Sequence, residues 1–164
     1  MKLSIVKSIV KSALGLSGKT HLQVGQPAPE LAVDEAGHVW TLAEVAGQPF
    51  VLYFYPKDDT PGCTKESCSF RDAVPAFGGL GVRVFGASRD DAASHRAFKQ
   101  KYNLNFPLLI DGDGALGTRW GVEDGGISRR VSFLVDAKGI IRNIWDPVSV
   151  TGHAEQVASA LKSL

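Results

Sequence analysis

The chain predicts an α/β fold in which helices flank a central mixed sheet, and three observations carry that expectation. Strand-like and helix-like runs alternate through the middle of the sequence, which implies parallel pairing. The run from Phe50 to Tyr55 is unbroken apolar and aromatic residue between two prolines, the pattern of a strand buried on both faces. Near the C-terminus, Asp136, Ala137, Lys138 and Gly139 separate two further apolar runs, which reads as a hairpin and adds antiparallel pairing. With 164 residues and 44% hydrophobic content, the chain suits one compact domain with an ample core.

The elements follow in order. Residues 1–20 stand apart as an N-terminal extension to a main domain over residues 21–164: they hold Lys2, Lys7, Lys11 and Lys19, while the first acid is Glu30. Written on a helix, Ile5, Val6, Ile9, Val10, Ala13, Leu14 and Leu16 share one face, with Ser4, Lys7, Ser8 and Lys11 opposite. An extra amphipathic helix is therefore expected. Its lysines interrupt every apolar run, so neither a signal-peptide core nor a spanning helix fits. The stripe over residues 2–16 suits a membrane surface, the protein's own body or a twin subunit, which leaves monomer and homodimer both open. Gly15 and Gly18 are expected to end it.

Pro27 and Pro29 mark a lead-in loop, and Ala36, Gly37 and His38 a turn before Val39 to Leu42. The strand at Phe50 to Tyr55 then leads into a helix from Pro61 to about Asp72 or further, with Pro75 expected to bend or end it. Val82 to Ala87 reads as a strand, Asp91 to Tyr102 as a helix, and Phe106 to Ile110 as a third strand. Leu116 to Trp120 suggests a short helix, Val131 to Val135 and Ile140 to Trp145 the hairpin strands, and Ala154 to Leu164 a covering helix. This order is compatible with a thioredoxin-like fold.

Charge excludes one class of partner. Eighteen lysines and arginines nearly balance seventeen acids, so no overall field attracts nucleic acid. Two cysteines cannot staple a secreted scaffold, and a chain of this size needs no staple, which points to a reducing cytoplasm.

The chemistry gathers at Thr60, Pro61, Gly62 and Cys63. Thr60 suits an N-cap and Pro61 the first helical position, which puts Cys63 on the third, among unpaired backbone amides. A thiol there is expected to ionise easily, and the thiolate is the nucleophile. Cys68 lies five positions on. On an ideal helix that spacing separates the Cα atoms by roughly 8.5 Å, beyond the reach of about 7 Å that a disulfide allows. Two states follow: a folded one with a lone thiolate, and a locally unwound one in which the sulfurs join. Zinc is not expected, because His21, His38, His95 and His153 are scattered, with none at ligand spacing from the cysteines.

Two other patterns carry possible sites. Gly112, Gly114 and Gly117 form a G-x-G-x-x-G after a strand, with Asp136 further on, but Asp124, Gly125 and Gly126 break the crossover helix a dinucleotide site requires. The glycines are expected to make a turn. Arg130, beside Arg129 at the entrance of the first hairpin strand, would stabilise the thiolate and offer donors to an oxygen-rich substrate if it pointed at the Cys63 helix. Glu66, one turn after Cys63, could orient it.

Pro56, Thr60 and Cys63 in the arrangement P-x-x-x-T-x-x-C, within FYPKDDTPGCTKESCSFRD from Phe54 to Asp72, resemble the peroxiredoxins. Cys68 at this spacing is similar to the bacterioferritin comigratory protein, or peroxiredoxin Q, branch. The likeness runs from about Gln23 to the C-terminus and includes RVSFLVD at Arg130 to Asp136 and GHA at Gly152 to Ala154. It implies a thioredoxin-fold thiol peroxidase in which Cys63 is peroxidatic and Cys68 resolving, with Pro56, Thr60 and Arg130 completing the site. The expected substrate is hydrogen peroxide or an organic hydroperoxide, held by Thr60, Arg130 and the amides of Gly62 and Cys63. The product disulfide would be recycled by thioredoxin, and no metal, haem or flavin is required because sulfur performs the redox chemistry. Two alternatives use the same residues differently: a protein dithiol–disulfide oxidoreductase, or a peripheral membrane or scaffold protein acting through the N-terminal helix.

Overall fold

At the centre lies β1 (Phe50–Phe54), all five residues buried, because each side chain meets an apolar layer whichever way it points. The computed structural model describes residues 19–164, so the expected N-terminal helix lies outside the described residues. Flanking β1 are α1 (Leu42–Val45) before it and α2 (Pro61–Gly79) after it. Then come β2 (Arg83–Ser88), α3 (Ala92–Tyr102), β3 (Leu108–Ile110) and α4 (Ala115–Arg119). The short strands β4 (Glu123–Asp124) and β5 (Ile127–Ser128) precede β6 (Val131–Val135), β7 (Ile141–Trp145) and α5 (His153–Leu161). The main sheet has the order β3-β2-β1-β6-β7, and β4-β5 form a separate ribbon.

The sheet is mixed, as alternation and hairpin together require. β1 pairs parallel with β2, and β2 with β3, while β6 runs antiparallel to both β1 and β7. Because side chains alternate along a strand, Phe50, Leu52 and Phe54 enter one core with Phe85, Trp120 and Phe133. Val51 and Tyr53, with Tyr55 beyond the strand, enter the other core beside Phe70 and Phe77 of α2, Phe98 of α3 and Val157 of α5. Each such ring withdrawn from water is worth roughly 1.5–3 kcal/mol, so both faces are firmly held.

Four elements differ from expectation. Helix α2 continues through Pro75 to Gly79. The proline ring deprives the Arg71 carbonyl of its helical donor, and the Nδ2 of Asn105 replaces it at 3.2 Å, so the break is repaired by tertiary contact. Strand β3 begins at Leu108 rather than Phe106, since Pro107 has no N–H to give the ladder. The β4-β5 hairpin was not foreseen, although its turn residues Gly125 and Gly126 both have positive φ, which a two-residue hairpin loop demands. The C-terminal helix starts at His153 and ends at Leu161.

Gly112 and Gly114 of the G-x-G-x-x-G lie in a turn, as expected, while Gly117 falls within α4. Asp111 accepts from the amides of Leu116 and Gly117 at 2.9 Å each, so a carboxylate of the chain itself holds the start of α4, where a dinucleotide phosphate would sit.

Candidate active site around Cys63

Helix α2 starts just beyond the carboxyl end of β1. Thr60 is its N-cap residue, in extended conformation, and Pro61 its first residue, as the spacing implied. The cap works differently from expectation. The Thr60 hydroxyl donates to the Lys57 carbonyl at 2.9 Å and caps no amide. Its carbonyl accepts from Thr64 at 2.8 Å, and among the described residues the amides of Gly62 and Cys63 have no protein partner. A hydroxyl with its hydrogen committed keeps lone pairs for an incoming O–H, and the two amides remain open as donors.

Cys63 is 1% exposed and lies at the edge of the second core. Burial alone would describe an inert thiol. The guanidinium of Arg130 decides otherwise: its Nη2 stands 3.2 Å from Cys63 Sγ, and its Nη1 donates to Glu66 Oε1 at 2.8 Å. Arg130 is placed there by the pairing of Phe54 with Val131, which lays the entrance of β6 beside the exit of β1. Gly62 permits the approach, because a Cβ on it would stand 3.3 Å from Arg130 Nη2.

Glu66 is almost wholly buried, and its Oε2 has no partner among the described residues. Burial pushes its carboxyl up to about 7, against the opposing pull of the Arg130 charge and hydrogen bond. Arg130 is 20% exposed at its side chain, so the pair opens to water on the guanidinium side only.

The other expected residues fall as follows. Pro56 is half-buried in the loop after β1. Cys68 is half-buried on the same unbroken helix, and both thiols are free. Thr60, Gly62, Cys63, Glu66 and Arg130 thus meet at one helix start, while Cys68 stands apart from Cys63, five positions along the helix being too far for a bond without unwinding.

Sequence reading missed the residues that hold the loop. Asp58 accepts from Tyr55 Oη at 2.6 Å and from Ser94 Oγ at 2.8 Å, and meets His95 Nδ1 at 2.7 Å. Asp59 accepts from Lys101 Nζ at 2.7 Å and Tyr102 Oη at 2.6 Å. Nothing in the local pattern marks these pairs, since the partners other than Tyr55 lie some forty residues away along α3.

A family model described as AhpC/TSA family matches residues 24–144, which span the whole constellation. The chain belongs to the AhpC/TSA family. Within it, a Coxiella burnetii protein assigned to peroxiredoxin bcp is 44% identical over 151 residues, covering 85% of this chain and 99% of that one. Peroxiredoxin Q of rice chloroplasts is 41% identical over 126 residues, or 74% of this chain, which spans only 58% of that longer relative. Among solved structures, the Xanthomonas campestris bacterioferritin comigratory protein, studied for alkyl peroxide reduction activity, aligns with a TM-score of 0.78 and 35% identity. That alignment covers 88% of this chain and 98% of the other. The thioredoxin-like fold is thereby established, and the chain is a thiol-dependent peroxidase of the Bcp and peroxiredoxin Q type. No helix among the described residues is long and apolar enough to cross a membrane.

Proposed function

We propose that Cys63 is the peroxidatic residue and Cys68 the resolving one, and the contact that carries the reading is Arg130 Nη2 on Cys63 Sγ at 3.2 Å. The Cys63 thiolate attacks the terminal oxygen of hydrogen peroxide or an organic hydroperoxide. A sulfur–oxygen bond forms as the oxygen–oxygen bond breaks, and its electron pair leaves with the second oxygen, which takes a proton to become water or alcohol. Cys63 is left as a sulfenic acid. Arg130, the Thr60 hydroxyl and the amides of Gly62 and Cys63 supply donors and acceptors along the breaking bond, where charge develops. Pro56 shapes the loop that presents Thr60, and Glu66 orients the guanidinium.

The first turns of α2 then unwind and the Cys68 thiolate attacks the Cys63 sulfur. The sulfur–oxygen bond breaks, hydroxide leaves and takes the proton given up by the Cys68 thiol to become water, and an intramolecular disulfide forms. An external dithiol, of which thioredoxin is the type, reduces it by exchange and returns both thiols. Two cysteines, too few to staple a secreted scaffold in a chain that needs no staple, suit a cytoplasmic site of action, where thiols are kept reduced. The division into an extension over residues 1–20 and a catalytic domain over 21–164 belongs to this reading, with monomer and homodimer both compatible.

Stopped-flow oxidation of wild type, Cys63→Ser and Cys68→Ser tests the roles. Cys63→Ser is expected to be inactive, and Cys68→Ser to react once with peroxide yet fail to turn over with thioredoxin. Equal loss of the first oxidation step in both variants would overturn the assignment.

A further inference from the structure

The loop of residues 55–60 delivers Thr60 and Cys63 to the site, and helix α3 grips it at two successive aspartates. Asp58 is buried and takes three donors, from Tyr55, Ser94 and His95, the acceptor pattern of an ionised carboxylate. His95 is wholly buried. Its Nδ1 faces Asp58 Oδ2 at 2.7 Å and its Nε2 faces the Leu109 carbonyl at 2.8 Å. A carbonyl only accepts, so Nε2 carries hydrogen, and Nδ1, facing a carboxylate that already takes donors from Tyr55 and Ser94, makes the ring the imidazolium partner of Asp58. Asp58, Asp90 and His95 bring ligand atoms within 4.8 Å of one another, the size of a cation cage. With hydrogen on both ring nitrogens, His95 has no lone pair to offer a metal.

A second grip lies outside the first. Asp59 has a φ of 56°, left-handed backbone that costs a non-glycine residue on the order of 1–3 kcal/mol, and its carboxylate is tied to Lys101 and Tyr102. Behind the site, Arg71 Nη1 donates to the Tyr102 carbonyl at 2.7 Å and Asn105 holds the Arg71 carbonyl. Residues 61–70 are therefore bracketed between two attachments to α3 and its C-terminal exit. Letting go of the front attachment relieves backbone strain, while the rear attachment stays.

We propose that His95 is a positioning residue: its buried ion pair with Asp58 is the latch that keeps the Cys63 end of α2 folded and sets how readily that end unwinds. The geometry stands by itself, and its consequence for turnover rests on the peroxidase reading above. Burial opposes the His95 charge, but the hydrogen bond and charge of Asp58 outweigh it and raise the ring's pKa. The groups facing it are Asp58 and Tyr55 from the β1 side and Asp90 and Ser94 from the start of α3, none of them cationic.

Hydrogen exchange on the reduced protein tests the latch without any peroxide. Asp58→Asn keeps the volume of the side chain while turning an amide NH2 donor towards donors. In that variant the amides of residues 64–68, the first of which is bonded to the Thr60 carbonyl, should exchange at least about tenfold faster relative to those of β1, the factor expected for losing one hydrogen bond to a charged group. His95→Gln removes the charge of the pair while keeping an amide donor and should move the same ratio in the same direction, and it decides the matter should Asp58→Asn not fold. An unchanged ratio, with α2 and β1 loosening in parallel or not at all, overturns the proposal. After one equivalent of peroxide, disulfide formation should quicken by the same factor, and overoxidation at a fixed peroxide dose should fall. A faster-exchanging α2 with no gain in disulfide formation would overturn the consequence for turnover. Failure of wild-type Cys63 to oxidise at all would instead sink the peroxidase reading and leave the exchange result standing.

Discussion

The two faces of β1 are built from the same strand and do opposite work. Phe50, Leu52 and Phe54 point into a core to which β1 brings no polar side-chain atom, closed by Phe85, Trp120 and Phe133. Tyr53 and Tyr55 point the other way and carry hydroxyls: Tyr53 Oη meets Ser67 Oγ of α2 at 2.7 Å, and Tyr55 Oη donates to Asp58. Burial raises both tyrosine pKa values well above the ordinary phenol range, so these hydroxyls stay neutral and act as hydrogen-bond partners. Apolar packing is non-directional and costs little to slide. Polar contacts are directional and switch between made and unmade, which is what a helix that must both present a thiolate and release it requires. The reactive cysteine sits on the face that has them.

Substitutions on either face can break this contrast. Trp120→Ala empties the largest fully buried side chain of the inert face and should cost about 3–5 kcal/mol in a denaturant melt. Peroxide reactivity of the folded fraction should stay within roughly twofold of wild type, since the sites are independent. A collapse of reactivity there would show the two faces to be coupled. Arg130→Met attacks the working face and should slow Cys63 oxidation by about 10²–10³-fold, the loss typical of removing a donor aimed at developing charge. A drop under tenfold in stopped flow would mean that the sulfur does not depend on the guanidinium.

Glu66 sharpens the comparison through pH. Its folded pKa, near 7, lies above its unfolded value of 4.5, so the folded state binds the extra proton. Stability from this group is complete below pH 4.5 and lost as pH rises to about 7, a change on the order of 3 kcal/mol. Unfolding midpoints should fall across that window in wild type and flatten in Glu66→Gln; parallel curves would refute the assignment. The smallest expected effect is that of Gly62→Ala. A methyl 3.3 Å from Arg130 Nη2 must push the guanidinium aside, and displacing it by a few tenths of an ångström should lower kcat/KM by about tenfold. Unchanged kinetics would show that Arg130 has room to yield.

Much of this molecule was legible along the chain. Phe50 to Tyr55 announced a central strand because six consecutive apolar residues cannot lie on a wet face, and Thr60-Pro61-Gly62-Cys63 announced a helix start because proline is tolerated there and hardly anywhere else in a helix. The Asp136 turn was legible for the same local reason: its carboxylate accepts from Lys138 and Ile140 within the turn itself. Pro75 misled, since its local cost is real and only a distant asparagine offsets it. The Thr60 hydroxyl misled too, because a neighbouring carbonyl outcompeted the helix amides for it.

Short-range pattern therefore determined which segments are strands and helices and which sulfur begins a helix, since propensity, capping and periodicity act over a few residues. Tertiary structure alone decided that Arg130 reaches across 67 positions to Cys63, that Glu66 is buried rather than solvated, and that His95 closes on Asp58. Those contacts depend on strand order and on which helix covers which face. No local preference encodes that order; it is settled when the apolar faces are buried together, and the charges must then find one another in the dark interior or at its rim.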